Sequence, residues 1–198
     1  MKPFDATRAQ EVFRRTLQES IEAKERLLQE YLPILIQVTG VLARALGSGH
    51  KVLLCGNGGS AADAQHVAGE LVGRFMVNRA ALPAIALTTD TSILTAIGND
   101  LGFDQVFSRQ VEALVQEGDV VVGISTSGNS PNVLNALRTG HARGAVTVGF
   151  TGRQGGELKV LADVCFCAPA DRGPTVQEVH ITVWHAICEV VEEELFGT

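Results

Sequence analysis

The chain has 198 residues, of which 45% are hydrophobic and 19% are charged, and this balance excludes a largely disordered protein. The formal net charge of −6 argues against a broad nucleic-acid-binding surface, which would need a basic face. No apolar run approaches the roughly 20 residues that span a bilayer, and the N-terminal residues lack the apolar stretch of a signal peptide, so we expect one cytoplasmic domain over residues 1–198.

Two helices are predicted before the first strand. An apolar stripe at helical spacing consists of Phe13, Leu17, Ile21 and Leu28. Pro33 is expected to break or restart the helix, and a second helix should cover about 35–46. If the sheet leaves the stripe uncovered, the stripe marks an interface between subunits; the alternative is that both helices fold back on their own sheet.

From residue 50 onward, short apolar runs alternate with helical segments. The runs have the length of strands and little polar alternation, which is typical of a parallel sheet buried on both faces; they are 52–55, 84–87, 120–124, 146–150 and 164–166. Helices are predicted near 60–76, 91–98, 104–116, 131–143, 155–161 and 175–195. This alternation predicts an α/β sandwich with right-handed crossovers around a five-stranded parallel sheet.

Loops of unusual composition follow the first, third and fourth predicted strands, at 56–60, 125–130 and 151–156. Ligands of open parallel sheets bind beyond the carboxyl ends of the strands. In loop 125–130, hydroxyls surround a Gly-Asn pair before Pro131, so the next helix N-terminus suits a phosphate. Loop 56–60, Gly-Asn-Gly-Gly-Ser, matches neither nucleotide-binding fingerprint. Each loop alone could be an ordinary turn, but together they favour a phosphorylated, hydroxyl-rich ligand.

Polar side chains on two predicted helices are candidates for chemistry. His66 and Glu70 are spaced i, i+4 and share a helix face, where they could bind a divalent metal, act as base and acid, or form a solvated polar face. On the last helix, His180 and His185 are about 140° apart around the axis, whereas Gln177 and His185 are about 80° apart. The spacing alone does not decide which histidine faces a site.

Three further features allow two interpretations each. Asn99 and Asp100, between two glycines, could hold sugar hydroxyls or form a simple turn, and Arg74 could be a surface cation. The cysteines form no CxxC pair, so we expect buried reduced thiols rather than a thiolate zinc site; they are Cys55, Cys165, Cys167 and Cys188.

The motifs together resemble the bacterial phosphoheptose isomerase family of the sugar isomerase (SIS) domain superfamily. The resemblance covers nearly the whole chain and rests on residues 55–60, 65–71, 98–100, 124–130 and 177–180. It implies a three-layer, flavodoxin-like SIS sandwich as a single domain over 1–198, with 1–47 as an N-terminal helical oligomerisation segment. It also implies a homotetramer in which Arg74 reaches the site of a neighbouring subunit.

The resemblance further implies an activity and its residues. Family members convert sedoheptulose 7-phosphate into D-glycero-D-manno-heptose 7-phosphate through an enediol(ate), the first step of ADP- or GDP-heptose biosynthesis, which serves lipopolysaccharide and other glycans. The position of Glu70 carries proton transfer, with that of His185 as partner, and no organic cofactor is required. The implied zinc ligands are His66, Glu70, Gln177 and His185. The implied substrate-binding residues are Asn57, Gly58, Gly59, Glu70, Asn99, Asp100, Ser125, Thr126, Ser127, Ser130 and Gln177.

The main alternative is a non-catalytic SIS protein. A relative that binds the bacterial replication initiator resembles the chain but lacks the carboxylate that matches Glu70 and the histidine that matches His185. Both are present, which favours the enzyme, and a sugar-phosphate-sensing regulator would need a DNA-binding domain that does not fit in this length. One departure from the family pattern is Thr175, where members usually carry Arg or Lys.

Overall fold

The apolar runs form one parallel sheet in the computed structural model, which describes residues 4–197. The strands are β1 (Val52–Gly56), β2 (Ala84–Ala86), β3 (Val120–Ser125), β4 (Val146–Thr151) and β5 (Val164–Cys167). Their order is β2-β1-β3-β4-β5 and every neighbouring pair is parallel. This is the flavodoxin-like order, and the predicted fold class is confirmed.

Helices connect the strands and cover both faces of the sheet. They are α1 (Ala6–Arg26), α2 (Leu32–Gly47), α3 (Gly59–Val72), α4 (Thr91–Asp100), α5 (Ser108–Leu114), α6 (Pro131–Ala142), α7 (Gly156–Leu161) and α8 (Gly173–Phe196). A hydrophobic core lies on each face of the sheet, and successive strand residues point into opposite cores. Leu54 packs in the core under α2, α3 and α8, whereas Leu53 packs in the core under α5 and α6. The result is the expected three-layer sandwich.

The largest differences from the predicted helix boundaries occur at the end of α3 and at the start of α5. Helix α3 ends at Val72 rather than near 76, because Gly73 leaves helical geometry and the chain turns toward α8. Helix α5 begins at Ser108 rather than near 104, because Phe103–Gln105 forms a separate 3₁₀ turn after Gly102, whose φ is +92°. Gly102 adopts that φ without the steric cost that a side chain would bring.

The N-terminal helices form a nearly continuous rod. A π-helical turn, Leu27–Tyr31, joins α1 to α2, and Pro33 lies in the first turn of α2, where its missing N–H costs no hydrogen bond. The predicted restart at Pro33 is therefore confirmed. The stripe on this rod remains exposed in the single chain, by 68% at Phe13, 64% at Leu17, 51% at Ile21 and 71% at Leu28.

Within residues 4–197, no helix combines the length and the apolar character that crossing a membrane requires.

Candidate functional site

The three unusual loops meet at one edge of the sheet. They follow β1, β3 and β4, which are adjacent strands, so their carboxyl ends lie side by side. Asn57 and Asn132 exchange amide hydrogen bonds of 2.9 Å in both directions and join the first loop to α6. The N–H of Gly152 donates to the carbonyl of Thr126 at 3.1 Å, which joins the other two loops. The predicted convergence of these loops is observed.

Hydroxyl groups line the loop between β3 and α6. The Oγ atom of Ser125 lies 2.9 Å from that of Ser130 and 3.4 Å from that of Ser127. Ser130 precedes α6, yet its side chain does not cap the helix. The N-terminal end of α6, where the N–H of Val133 donates to Asn132 Oδ1 at 3.0 Å, and three hydroxyls thus face the same edge, an arrangement suited to an anion.

Gly128 allows this loop to pack tightly. Its φ of +69° belongs to the left-handed region, and a Cβ at this position would lie 2.0 Å from the carbonyl oxygen of Gly155. On the other side, Asn129 Oδ1 accepts a hydrogen bond of 2.9 Å from the N–H of Glu157. The loop is therefore held against the following β4–α7 connection rather than free in solvent.

Helices α3 and α8 run side by side in the same direction. Gln177 packs over Gly59, where a Cβ would lie 2.5 Å from Gln177 Nε2. Further along, His185 meets His66, and Glu192 bonds the backbone of 75–77. Both helices thus begin at the loop edge, with Gln177 near that edge and His185 two turns further along α8.

The predicted pair on α3 forms a cluster with one histidine of α8. Nε2 of His66 lies 2.9 Å from Nε2 of His185 and 3.2 Å from Oε1 of Glu70. The ring of Phe75 stacks on that of His185, with centroids 5.5 Å apart and an interplanar angle of 22°. One donor atom from each of His66, Glu70 and His185 lies within 4.8 Å of the others.

The structure decides between the two histidines of the last helix. His180 is fully buried, and its Nε2–H donates to the carbonyl of Thr151 at 3.0 Å. Burial lowers the pKa of His180 to about 4, although the hydrogen bond to Thr151 opposes the shift. His180 is thus a neutral core residue, and His185 is the histidine that joins the cluster.

The donor set of this cluster suits a divalent cation. Imidazole nitrogens and a carboxylate oxygen are common zinc ligands, and their separations are close to those between ligands of a tetrahedral site. Both short contacts of His66 use the same nitrogen, and one proton cannot serve two partners at full strength. A shared cation would satisfy all three groups at once.

Two predicted substrate positions make no hydrogen bond to this cluster within residues 4–197. Asn99 and Asp100 form the exposed last turn of α4, rather than a loop, and the Asn99 amide donates to Asp100 Oδ1 at 2.7 Å. Arg74 is exposed in the segment after α3. Within residues 4–197, none of the three forms a hydrogen bond with the loops or with the cluster. Thr175, the departure from the family pattern, is buried in the first turn of α8.

Several residues near the cluster were missed in the sequence. Asp63 lies one turn before His66 on α3; burial raises its pKa to about 6 against the opposing effect of His66, and its Oδ2 is buried without a partner in the described part of the chain. Its i, i+3 spacing to His66 could have revealed it. Phe75, Arg79 and Glu192 gave no local signal, because their partners are distant in the chain.

Comparisons with known proteins agree with this geometry. A model of the SIS domain family matches residues 11–152. The phosphoheptose isomerase of Aquifex aeolicus is 54% identical over 92% of this chain and 96% of its own. That of Geobacter metallireducens is 57% identical over 92% and 95%.

Solved structures give the same result. A phosphoheptose isomerase from Neisseria gonorrhoeae superposes with a TM-score of 0.88 at 46% identity, covering 93% of this chain and 99% of its own. One from Francisella tularensis reaches a TM-score of 0.90 at 35% identity, covering 93% and 98%. Since identity and fold agree over nearly the full length of both chains, this chain belongs to the phosphoheptose isomerase family of SIS-domain proteins.

Proposed function

We propose that the chain is an aldose–ketose isomerase that converts sedoheptulose 7-phosphate into D-glycero-D-manno-heptose 7-phosphate. The observation that carries this proposal is the Glu70 carboxylate, 3.2 Å from His66 and clustered with His185, on a helix that begins at the glycine-rich loop. A reaction through an enediol(ate) needs a carboxylate or similar base, together with a proton donor at the carbonyl oxygen. The Glu70 carboxylate and the neighbouring histidines meet this need. The alternative of a non-catalytic protein that binds the replication initiator is disfavoured. That relative lacks the counterparts of Glu70 and His185, whereas both residues are present in this chain and lie in one cluster.

The substrate phosphate belongs at the loop between β3 and α6. The Ser125 hydroxyl lies 3.4 Å from that of Ser127 and 2.9 Å from that of Ser130, and Thr126 follows Ser125 in the same loop. Together with the N-terminal end of α6 they would hold the phosphate, far from the reacting carbons. Such remote binding energy positions C1 and C2 of the sugar for proton transfer. The remaining sugar contacts are proposed at Asn57, Gly58, Gly59, Asn99, Asp100 and Gln177.

Glu70 and His185 would move the protons. The Glu70 carboxylate removes a proton from C1 of the ketose while His185 protonates the C2 carbonyl oxygen, which yields the enediol. Glu70 then returns its proton to C2, and His185 takes the proton from the C1 hydroxyl to leave the aldehyde. Each group ends in its starting protonation state, so the cycle closes without an organic cofactor.

We further propose that His66, Glu70 and His185 hold a zinc ion, and that the amide of Gln177, which packs over Gly59 in this structure, would complete the ligand set as the resemblance implies. When bound there, zinc would polarise the carbonyl oxygen of the substrate in place of the proton from His185, because a histidine nitrogen that binds a metal carries no proton. The test uses protein without a polyhistidine tag, stripped with chelator and assayed before and after zinc is added. Activity that returns with zinc, but not in His66→Ala, supports the site. Full activity without metal by elemental analysis excludes an essential ion.

The decisive experiment incubates the purified protein with sedoheptulose 7-phosphate and follows the aldose product. Glu70→Gln should lower kcat by about 10²–10⁴-fold with little loss of fold, because it removes the base but preserves shape. Glu189→Gln, at an exposed position of α8, is the matched control and should retain kcat. A wild-type protein that leaves the substrate unchanged refutes the function. A Glu70→Gln variant with wild-type kcat refutes only the assigned base.

We also propose a homotetramer with 1–47 as its oligomerisation segment. Besides the exposed stripe of α1, a mostly apolar groove of about 420 Å³ lies between α2 and α8 and includes Ile36, 72% exposed, and Val190, 48% exposed. Such exposed apolar surface is typical of an interface, and in the assembly Arg74 would reach the site of a neighbouring subunit. Light scattering that gives the mass of a monomer at micromolar concentration would refute the assembly.

We place this enzyme in the cytoplasm, at the entry to nucleotide-activated heptose synthesis for lipopolysaccharide or another glycan. The support is chemical: Cys55 and Cys188 are reduced and buried, which is typical of a reducing compartment. Burial raises the pKa of each thiol to about 12, so neither would act as a nucleophile.

A further inference from the structure

Glu192 is a buried carboxylate whose hydrogen-bonding capacity is fully used. It is 2% exposed, and its Oε1 accepts from the N–H of Phe75 at 2.8 Å and from Nε of Arg79 at 2.7 Å. Its Oε2 accepts from the N–H groups of Met76 and Val77 at 2.8 and 3.1 Å. Burial would raise the pKa of Glu192, but these hydrogen bonds outweigh it and hold the pKa below its usual range.

Arg79 links Glu192 to the C-terminal end of α3 by hydrogen bonds. Its side chain is 1% exposed. Nη2 donates to the carbonyl of Glu70 at 2.8 Å, and Nη1 donates to that of Leu71 at 2.9 Å. These are carbonyls of the last helical turn, which have no partner within the helix. Arg79 thus closes the end of α3 at the residue that would carry the base.

The Arg79–Glu192 pair therefore hydrogen-bonds to the backbone next to both sides of the cluster, the α3 side with Glu70 and the α8 side with His185. One arm ends on the carbonyl of Glu70 on α3. The other ends on the N–H of Phe75, whose ring stacks on His185 of α8. Glu192 itself lies two helical turns after His185, on the same side of α8. No other residues described here join these two helix segments by an ion pair.

We propose that Arg79 and Glu192 are positioning residues of the isomerase centre, which set the placement of Glu70 relative to His185; this proposal rests on the proposed function. The two reacting groups lie on different helices, so contacts between those helices must hold them in register. A displacement of about 1 Å can cost about 100-fold in rate. A buried ion pair adds little net stability compared with apolar residues of similar volume, so stability alone does not account for it.

The test compares Glu192→Gln with a matched buried carboxylate far from the site. Asp119 is 1% exposed and accepts from the N–H groups of Lys51 and Gln116 at 3.0 and 2.7 Å, at the amino ends of β1 and β3. Glu192→Gln and Asp119→Asn should both lower the melting temperature. Only Glu192→Gln should lower kcat, by about 10–100-fold, with the KM for sedoheptulose 7-phosphate changed by less than about threefold.

A Glu192→Gln variant that keeps wild-type kcat while it loses as much stability as Asp119→Asn would overturn the proposal. If Glu192→Gln does not fold, Phe75→Leu replaces it, because it removes the ring on His185 and retains the N–H bond to Glu192. Its kcat should fall by about tenfold, and an unchanged kcat would again overturn the proposal.

A second readout separates this proposal from the proposed function. Zinc affinity, measured by competition with a chromophoric chelator, should weaken by about 10-fold in Glu192→Gln and remain unchanged in Asp119→Asn. If the wild type binds zinc but does not turn over the substrate, the function fails and the affinities still decide the positioning role. A wild type with neither activity nor zinc affinity would overturn both proposals.

Discussion

His180 should make the free energy of unfolding depend on pH between about pH 4 and about pH 6.5. Its ring is fully buried, and burial lowers its pKa to about 4. In the unfolded chain the imidazole binds a proton near the ordinary pKa of about 6.5. The unfolded state therefore binds more protons between these two values, so the free energy of unfolding falls as the pH drops through this window.

The expected magnitude follows from the two pKa values. Between about pH 7.5 and about pH 5.5, linkage predicts that His180 lowers the free energy of unfolding by about 1 kcal/mol. His180→Gln removes the titrating group and retains an N–H that can approach the carbonyl of Thr151. The wild type should lose about 1 kcal/mol more than this variant over the same pH range.

Trp184 provides the assay, because it is the one tryptophan in the chain and lies one turn after His180. Its ring is fully buried and stacks on Phe150, with centroids 4.5 Å apart. Urea unfolding followed by its fluorescence, at one protein concentration, yields the free energy at each pH. If His180→Gln shows the same pH dependence as the wild type, the buried neutral histidine is not the cause. Its kcat at neutral pH should remain near that of the wild type.

Three further predictions concern the loops. Ser127→Ala should raise KM by about tenfold, and inorganic phosphate should compete with substrate; a dephosphorylated heptulose that reacts equally well would contradict the phosphate site. Gly128→Ala should abolish activity, since its Cβ would lie 2.0 Å from a backbone oxygen of the neighbouring loop, and wild-type kinetics would refute this. Gly59→Ala should lower kcat/KM, because its Cβ would lie 2.5 Å from the Gln177 amide. Gly69→Ala, with open space around its Cβ, is the control and should be neutral.

The sequence by itself was enough to predict the positions of the strands, the layered architecture and the approximate positions of most helices. Buried parallel strands are continuous apolar runs, and this local pattern does not depend on distant residues. The strand-to-loop transitions also placed Asn57 and Ser127 at the carboxyl edge, because parallel strands share one direction. The resemblance to phosphoheptose isomerases was confirmed, since its motifs lie in those same loops and in α3.

Only the tertiary structure decided which side chains meet. Helical spacing gives an angle around an axis but not the neighbour on each face, so it left His180 and His185 equivalent. One packs against Phe150 in the core, and the other meets His66 across 119 positions of the chain. The bonds from Glu192 to the segment after α3 likewise span 115–117 positions. Such contacts follow from the packing of α3 against α8, which no local pattern encodes.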